Sequence, residues 1–280
     1  MIRHDNWFDI RKIDSGVWMI HEPGHVQSFL VKGEEQSALI DTGMGFCDLK
    51  PVVDELVSTP IMVLNTHWHF DHIGGNASFD HIGISEVESD LLTRPLSNSE
   101  LSAVYLDECI NMGTPLPDRF IPASYTIQSP EPRFFIRDRD VYDLGGRTMT
   151  ALATPGHTHG SISFLDDRTG CLFCGDLLYD GTLYAHFEDS DLNAYITSLE
   201  AVVGMTDQVK KLCVGHNQAI LDPRFAGSVL AMFRKIESGA LNGQTNNDWG
   251  TPVDHYLENG ISILLKKKGH PGVRLFRQNQ

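Results

Sequence analysis

The order of apolar runs along this chain predicts an α/β protein built as a four-layer αββα sandwich, two sheets face to face with helices outside both. Three observations carry that expectation. Runs of strand length followed by amphipathic helical runs occur twice, in the same order. No low-complexity linker separates the halves, so residues 1–280 are read as one domain. No short-period repeat points to a solenoid.

The first half opens with strands at Val17–Ile20, Ser28–Val31 and Ser37–Ile40, broken by Pro23-Gly24 and Gly33. Leu49, Val52, Val53 and Leu56 share one face of a helix over Asp48–Val57. Ile61–Leu64 is a compact β-branched run of buried-strand type. Ser85–Thr93 and Ser97–Met112 read as helices, the second opening on the capping box Ser97-Asn98-Ser99-Glu100. Five prolines between Gly113 and Pro132 predict a long irregular connection, so about 86–132 reads as a lid-like insertion. The second half has strands at Val141–Leu144, Thr148–Ala153, Ser161–Leu165 and Cys171–Cys174. A helix at Asp191–Val203, a strand at Lys211–Val214 and a helix at Pro223–Ile236 follow, and Ile261–Leu265 closes the chain as a strand.

Composition narrows the partners. With 37 acidic against 22 basic residues the net charge is -15, a surface that repels phosphate backbones and argues against nucleic acid. Lys266-Lys267-Lys268, the one dense basic cluster, reads as a solvated strand end. Met1–Ile10 is charged and polar without a secretory apolar core, and no apolar stretch approaches the ~18 residues that span a bilayer. The reading is a cytoplasmic protein with no membrane span. Five cysteines without framework spacing suit a reducing compartment, and the Cys171-Leu-Phe-Cys174 pair reads as buried strand rather than a redox motif.

The chemistry concentrates in Thr66-His67-Trp68-His69-Phe70-Asp71-His72-Ile73-Gly74-Gly75. Buried imidazoles and carboxylates need partners, and a metal such as zinc supplies one. In an extended turn His67 and His69 point the same way; Asp71 and His72 then begin the next turn and reach a second ion. Gly74-Gly75 lets the backbone pass close to the site. Thr154-Pro155-Gly156-His157, Cys174-Gly175-Asp176 and Val214-Gly215-His216 repeat one pattern, an apolar strand ending in a tight turn that carries a single metal-binding side chain.

HxHxDH followed by PGHT, GD and GH in this order resembles the metallo-β-lactamase superfamily, over nearly the whole chain from Ile40-Asp41-Thr42-Gly43 onward. The resemblance implies that His67, His69 and His157 hold a first zinc. Asp71, His72 and His216 would hold a second, and Asp176 would bridge the two. It makes Asp41 the group that orients a ligand histidine. Two Zn²⁺ are thus the implied cofactors, although the same donors accept manganese, iron or cobalt.

The implied reaction is attack on a carbonyl by a hydroxide the two metals share, with Asp71 steering the nucleophile or relaying its proton. A bridging aspartate at 176 disfavours true β-lactamase activity and is shared by glyoxalase II and the lactonases. Tyr179 matches a tyrosine that meets the substrate carbonyl in quorum-quenching lactonases, and reads equally as packing. Within the superfamily the chain is most similar to the metallo-β-lactamase domain-containing protein 2 group. The shared stretches are Ile40 to Gly45, His69-Phe70-Asp71-His72, Pro155-Gly156-His157, Gly175-Asp176 and Tyr179-Asp180-Gly181. That group is associated with long-chain acyl-CoA thioesters, and the similarity implies a small-molecule acyl ester or thioester substrate of acyl-CoA type. The alternatives are an acyl homoserine lactone and, on the same ligands with one iron, persulfide oxidation. Oligomeric state is left open. His21 and His25 on a flap-like turn, Trp68 and Phe70 beside the ligands, His159, Tyr184 and His186 are candidates to line the mouth.

Overall fold

The computed structural model describes residues 7–205 and 207–276. Residues 1–6, on which most of the polar amino-terminal reading rests, lie outside the described residues. The first half runs β1 (Asp9–Asp14), β2 (Val17–His21), β3 (Gln27–Lys32), β4 (Ser37–Ile40), α1 (Lys50–Leu56), β5 (Ile61–Leu64) and α2 (Phe70–Ile73). It continues through β6 (Ile82–Ser85), α3 (Ser89–Thr93), α4 (Asn98–Leu101), α5 (Asp107–Met112) and β7 (Phe134–Ile136). After these come β8 (Val141–Asp143), β9 (Thr148–Ala153), β10 (Ile162–Asp166), β11 (Cys171–Phe173), β12 (Thr182–Ala185) and α6 (Leu192–Val203). Then follow β13 (Lys211–Cys213), β14 (Ile220–Leu221), α7 (Arg224–Glu237), β15 (Gln244–Asp248), β16 (Thr251–Glu258) and β17 (Ile261–Lys266).

β1 to β7 lie side by side in chain order. The first four pair antiparallel through short turns, while β4 to β7 pair parallel, which requires the crossovers that α1 to α5 supply. The second sheet has the order β14-β13-β11-β10-β9-β8. Side-chain alternation explains why these strands read as unbroken apolar runs. Phe29, Val31, Ala38, Ile40, Met62 and Leu64 face the second sheet's Ala151, Ile162, Phe164 and Phe173. Between them, Leu30, Leu39 and Val63 point the other way, onto Leu49, Val52 and Val53 around α1. Beyond the second sheet, Leu152, Leu172 and Leu212 pack on Tyr195, Leu199 and Val202 of α6 and Val229 and Phe233 of α7. The four layers are therefore helix, sheet, sheet, helix.

Three features differ from the sequence reading. Ser85 ends a strand instead of opening a helix, because Ile82–Ser85 extends the first sheet beside β7; the helical part of that run is Ser89–Thr93 alone. Gly83 is needed there, since a Cβ would stand 2.2 Å from the Phe134 ring. The charged segment Asp9–Asp14 is the edge strand β1, paired on one side only. And Ile261–Lys266 joins a third sheet, β12-β17-β16-β15, that the sequence did not reveal. The capping box at Ser97 and Glu100 is present, although the helix it starts passes through a π-turn at Ser102–Leu106 before α5. Residues 113–132 hold only one 3-10 turn, Pro122–Ser124.

Candidate metal centre

Five residues of the predicted site stand just past the C-terminal end of a strand, while His69, Asp71 and His72 come from the segment that runs from β5 into α2. Asp41 follows β4, His67 β5, His157 β9, Asp176 β11 and His216 β13. The parallel pairs β4/β5 and β11/β13 bring these ends to one rim, where the two sheets meet. The turns are close fits. Gly156 has φ +148, and a Cβ on it would lie 2.5 Å from Tyr195 Cα. Gly175, at φ +49, would collide with Thr66 Oγ1 at 2.6 Å. Gly74 needs no special φ, as it is helical, but a Cβ would meet Met44 O at 2.1 Å, so close backbone approach is what it provides.

The donors converge. His67, His69 and His157 form one set, His67, His72 and Asp176 another, and Asp71, His72 and His216 a third, each with ligand atoms within 4.8 Å of one another. His69 Nδ1 and His157 Nε2 are 2.9 Å apart. Asp176 reaches both sides of the cluster: Oδ1 is 3.3 Å from His72 Nε2, and Oδ2 lies 3.6 Å from His157 Nε2 and 3.3 Å from His216 Nε2. Asp71 Oδ2 is 3.3 Å from His216 Nε2. Meanwhile His67 Nε2, His69 Nε2, His72 Nε2 and Asp176 Oδ1 are buried without a hydrogen-bond partner. Each such atom costs about 1–3 kcal/mol. Unsatisfied nitrogens and a carboxylate oxygen on four residues of these converging sets fit a divalent cation.

The outward ring nitrogens are pinned. His72 Nδ1 donates to Asp41 Oδ2 at 2.8 Å, His157 Nδ1 to Tyr184 O at 2.7 Å and His216 Nδ1 to His25 O at 3.0 Å. Thr66 Oγ1 spends its proton on Asp41 Oδ2 (2.7 Å) and so accepts from His67 Nδ1 at 3.0 Å. Asp41 also accepts from Thr66 N at 2.7 Å and sits at φ +59, a strained conformation that these three bonds hold. Such contacts fix the tautomer and leave Nε2 of each ring free to coordinate.

Charge divides the cluster. Burial, reinforced by neighbouring imidazoles, holds His67 and His69 well below the ordinary histidine value, and burial lowers His157 too. At His72 and His216 burial also opposes the charge, but the carboxylates of Asp176 and Asp71 outweigh it, lifting His216 to about 10. Burial works against ionised Asp71 as well, yet His72 and His216 bring it down to about 2.

The cluster opens into a cleft of about 530 Å³. Of the candidate mouth residues, His25, Tyr179 and Tyr184 line it. His25 is gripped between Tyr105 Oη and Pro115 O, each at 2.6 Å. Tyr179 is buried beside His216, and its hydroxyl donates to Thr182 O at 2.9 Å. The others lie elsewhere. Trp68 and His159 face a separate groove of about 260 Å³ with Phe187, Arg274 and Phe276. Phe70 packs on Tyr105 in the core, His186 is buried against Phe187 and Asp248, and His21 lies in β2 paired with Gln27.

Two buried carboxylates had no signal in the sequence. Glu22 accepts from Trp7 Nε1 (2.9 Å) and Met44 N (2.7 Å), bracing the turn after Asp41. Glu88 Oε1 accepts from Thr158 Oγ1 and from Gly160 N (2.9 Å), bracing the turn after His157. Neither sits in a motif, and only the folded chain shows what each holds. Trp249 and Glu108, also in the cleft wall, come from a turn and from α5 and carry no pattern either, while Asp180, in the loop before β12, stands in a shared stretch without a role assigned to it.

Residues 21–216 match the model of the metallo-beta-lactamase superfamily. The acyl-coenzyme A thioesterase MBLAC2 of Homo sapiens is 29% identical over 229 residues, 75% of this chain and 81% of that protein. A hydroxyacylglutathione hydrolase of Synechococcus sp. is 25% identical over 77% of this chain and 69% of its own length. A metallo-beta-lactamase family protein from Thermus thermophilus has a similar fold, with TM-score 0.59 at 19% identity over 82% of this chain and 83% of that one. The two sequence relatives bear the names of hydrolases. A superfamily model covering that span, over a rim that gathers all seven predicted donors, leads to one conclusion: this chain belongs to the metallo-β-lactamase superfamily.

Proposed function

We propose that this chain is a dizinc hydrolase of acyl thioesters or esters. The observation that carries the reading is a pair of donor sets sharing Asp176 at the floor of an open cleft. His67, His69 and His157 would hold one ion, Asp71, His72 and His216 the other, with Asp176 between. Imidazole nitrogens and carboxylate oxygens are donors that zinc takes readily, and the superfamily resemblance favours it over the manganese, iron or cobalt that the same donors accept. When bound, such a pair supplies a water acidic enough to act as nucleophile near neutral pH and a Lewis acid for the carbonyl.

The chain's own residues do the rest. Asp41, Thr66, Tyr184 O and His25 O hold four rings in the tautomer that presents Nε2. Asp71, at the cleft floor, would steer the attacking water or relay its proton toward the departing group. Tyr179 walls the cleft next to His216; its hydroxyl meets a substrate only by leaving Thr182. Support for the acyl class comes from the sequence relatives, one named a thioesterase and one a hydroxyacylglutathione hydrolase.

Metal analysis of the purified protein, paired with assays on a thioester, an aryl ester and a homoserine lactone, tests the reading. About two zinc per chain and chelator-sensitive turnover of the thioester or ester is the expected result. Turnover of the lactone alone would move the assignment to the lactonases. A single iron with no hydrolysis would sink the hydrolase and favour persulfide oxidation.

A further inference from the structure

The walls of the cleft carry an uneven set of charges. Besides the metal-site residues, its ionised side chains are Glu108 of α5 and Asp180 of the loop before β12; among the described residues no lysine or arginine lines it. Both carboxylates are exposed, so they act on whatever enters. The helical run Asn98–Met112 ends there too, and Glu108, Cys109 and Met112 from its last turns line the wall. A helix C-terminus adds partial negative charge. Aromatic faces complete the opening: Trp249 is 42% and Tyr184 37% exposed, high for residues of their size, and both line the cleft. Trp249 stacks on Phe187 at 6.1 Å, and Tyr184 lies 6.2 Å from the same ring, so the two stand on one aromatic base.

Carboxylates interleaved with exposed aromatic rings are the chemistry that receives a cation, through ion pairing and the negative faces of the rings. Phosphates are recognised by Arg, Lys or helix N-termini, and the wall offers none of the first two and the wrong end of a helix. We propose that this cleft selects acyl donors by the charge of the group attached to the acyl chain: cationic heads first, neutral next, polyanionic heads last. Glu108, Asp180, Trp249 and Tyr184 are the specificity-determining residues. The inference rests on the hydrolase reading for taking this cleft as the acyl-donor site, and it narrows that reading. A coenzyme A head would meet like charge at the mouth.

The test needs no turnover. Metal-loaded full-length protein is titrated, by isothermal titration calorimetry, with three non-hydrolysable thioethers that share a butyl chain: S-butyl thiocholine, S-butyl-N-acetylcysteamine and S-butyl coenzyme A. At low salt the expected order of affinity is thiocholine, then N-acetylcysteamine, then coenzyme A, with about tenfold or more between the first and last. The spread shrinks in 0.5 M salt, where screening is strong. It also shrinks in the Glu108→Gln/Asp180→Asn double variant, whose side chains keep their shape. Trp249→Ala weakens the thiocholine ether and spares the coenzyme A ether. Equal affinities, coenzyme A ahead, or an order unchanged in the double variant would overturn the proposal. A ranked mouth on a chain that hydrolyses neither thioester nor ester sinks the hydrolase reading alone; an unranked mouth on an active hydrolase sinks this one alone.

Discussion

Asp41 does more than its place in a strand-end turn would suggest. One carboxylate accepts from Thr66 N, Thr66 Oγ1 and His72 Nδ1, so it sets two ring orientations, one directly and one through Thr66. Asp41→Asn keeps the size but replaces one acceptor oxygen with a donor, which turns a tautomer the wrong way. Metal affinity should fall about 10–100-fold, measured by competition with a chromophoric chelator; unchanged affinity would show that Asp41 only shapes the turn. Glu88 makes a prediction about pH. Burial pushes its carboxyl up to about 8, against bonds from Thr158 and Gly160 that favour its charge. Below the unfolded value near 4.5 it is neutral in both states and costs nothing; above that only the unfolded state ionises it, so stability falls progressively and the loss is complete once pH has risen through about 8. Across pH 5 to 9 the melting temperature of the parent should therefore fall relative to Glu88→Gln, and parallel curves for the two would refute this.

At the scale of elements, the site depends on how closely strand-end turns approach the neighbouring helix. Gly156 touches α6 through Tyr195, whose hydroxyl donates to Asp176 O at 2.9 Å. Gly156→Ala drives a methyl into Tyr195 and demands an L residue at φ +148. It should displace the turn bearing His157 and the loop bearing Asp176 together, destabilising the fold by about 2 kcal/mol or more. Urea unfolding and metal stoichiometry read both consequences, and a variant that retains full metal content would show that the turn can shift without the donors. The third sheet matters at this scale as well. The turn joining β15 to β16 puts Trp249 in the cleft wall, so an element absent from the sequence reading shapes the mouth.

Across the whole molecule, Arg147 joins the two facing sheets. Its guanidinium is buried, pairs with both oxygens of Asp166 on β10, and donates to Ser15 O, Gly16 O and Lys32 O around the first hairpin. Arg147→Met strands the Asp166 charge and should cost about 3–5 kcal/mol, whereas replacing both partners with apolar residues should recover much of that loss. Chemical denaturation of the two variants separates these outcomes; equal losses would mean that the carbonyl contacts matter more than the ion pair. No helix among the described residues is long and apolar enough to cross a membrane.

The sequence by itself determined the donor cluster and the four-layer order, because both are written in local patterns. Short unbroken apolar runs mark Ser37–Ile40 and Ile61–Leu64, a period-3.6 run marks Leu192–Val203, and a histidine or aspartate just beyond a strand end is visible without coordinates. Only the tertiary structure decided which mouth candidates meet the cluster. Trp68 and Phe70 are adjacent in sequence to the donors, yet Trp68 alternates with His67 and His69 along an extended turn and faces a groove, while Phe70 opens α2 and packs into the core. Glu22, Glu88, Glu108 and Trp249 come from elsewhere in the chain and carry no local pattern, since what each does is set by long-range packing. Strands as short or as charged as Phe134–Ile136 and Asp9–Asp14 were equally invisible, because pairing with a neighbour, rather than their own composition, makes them strands.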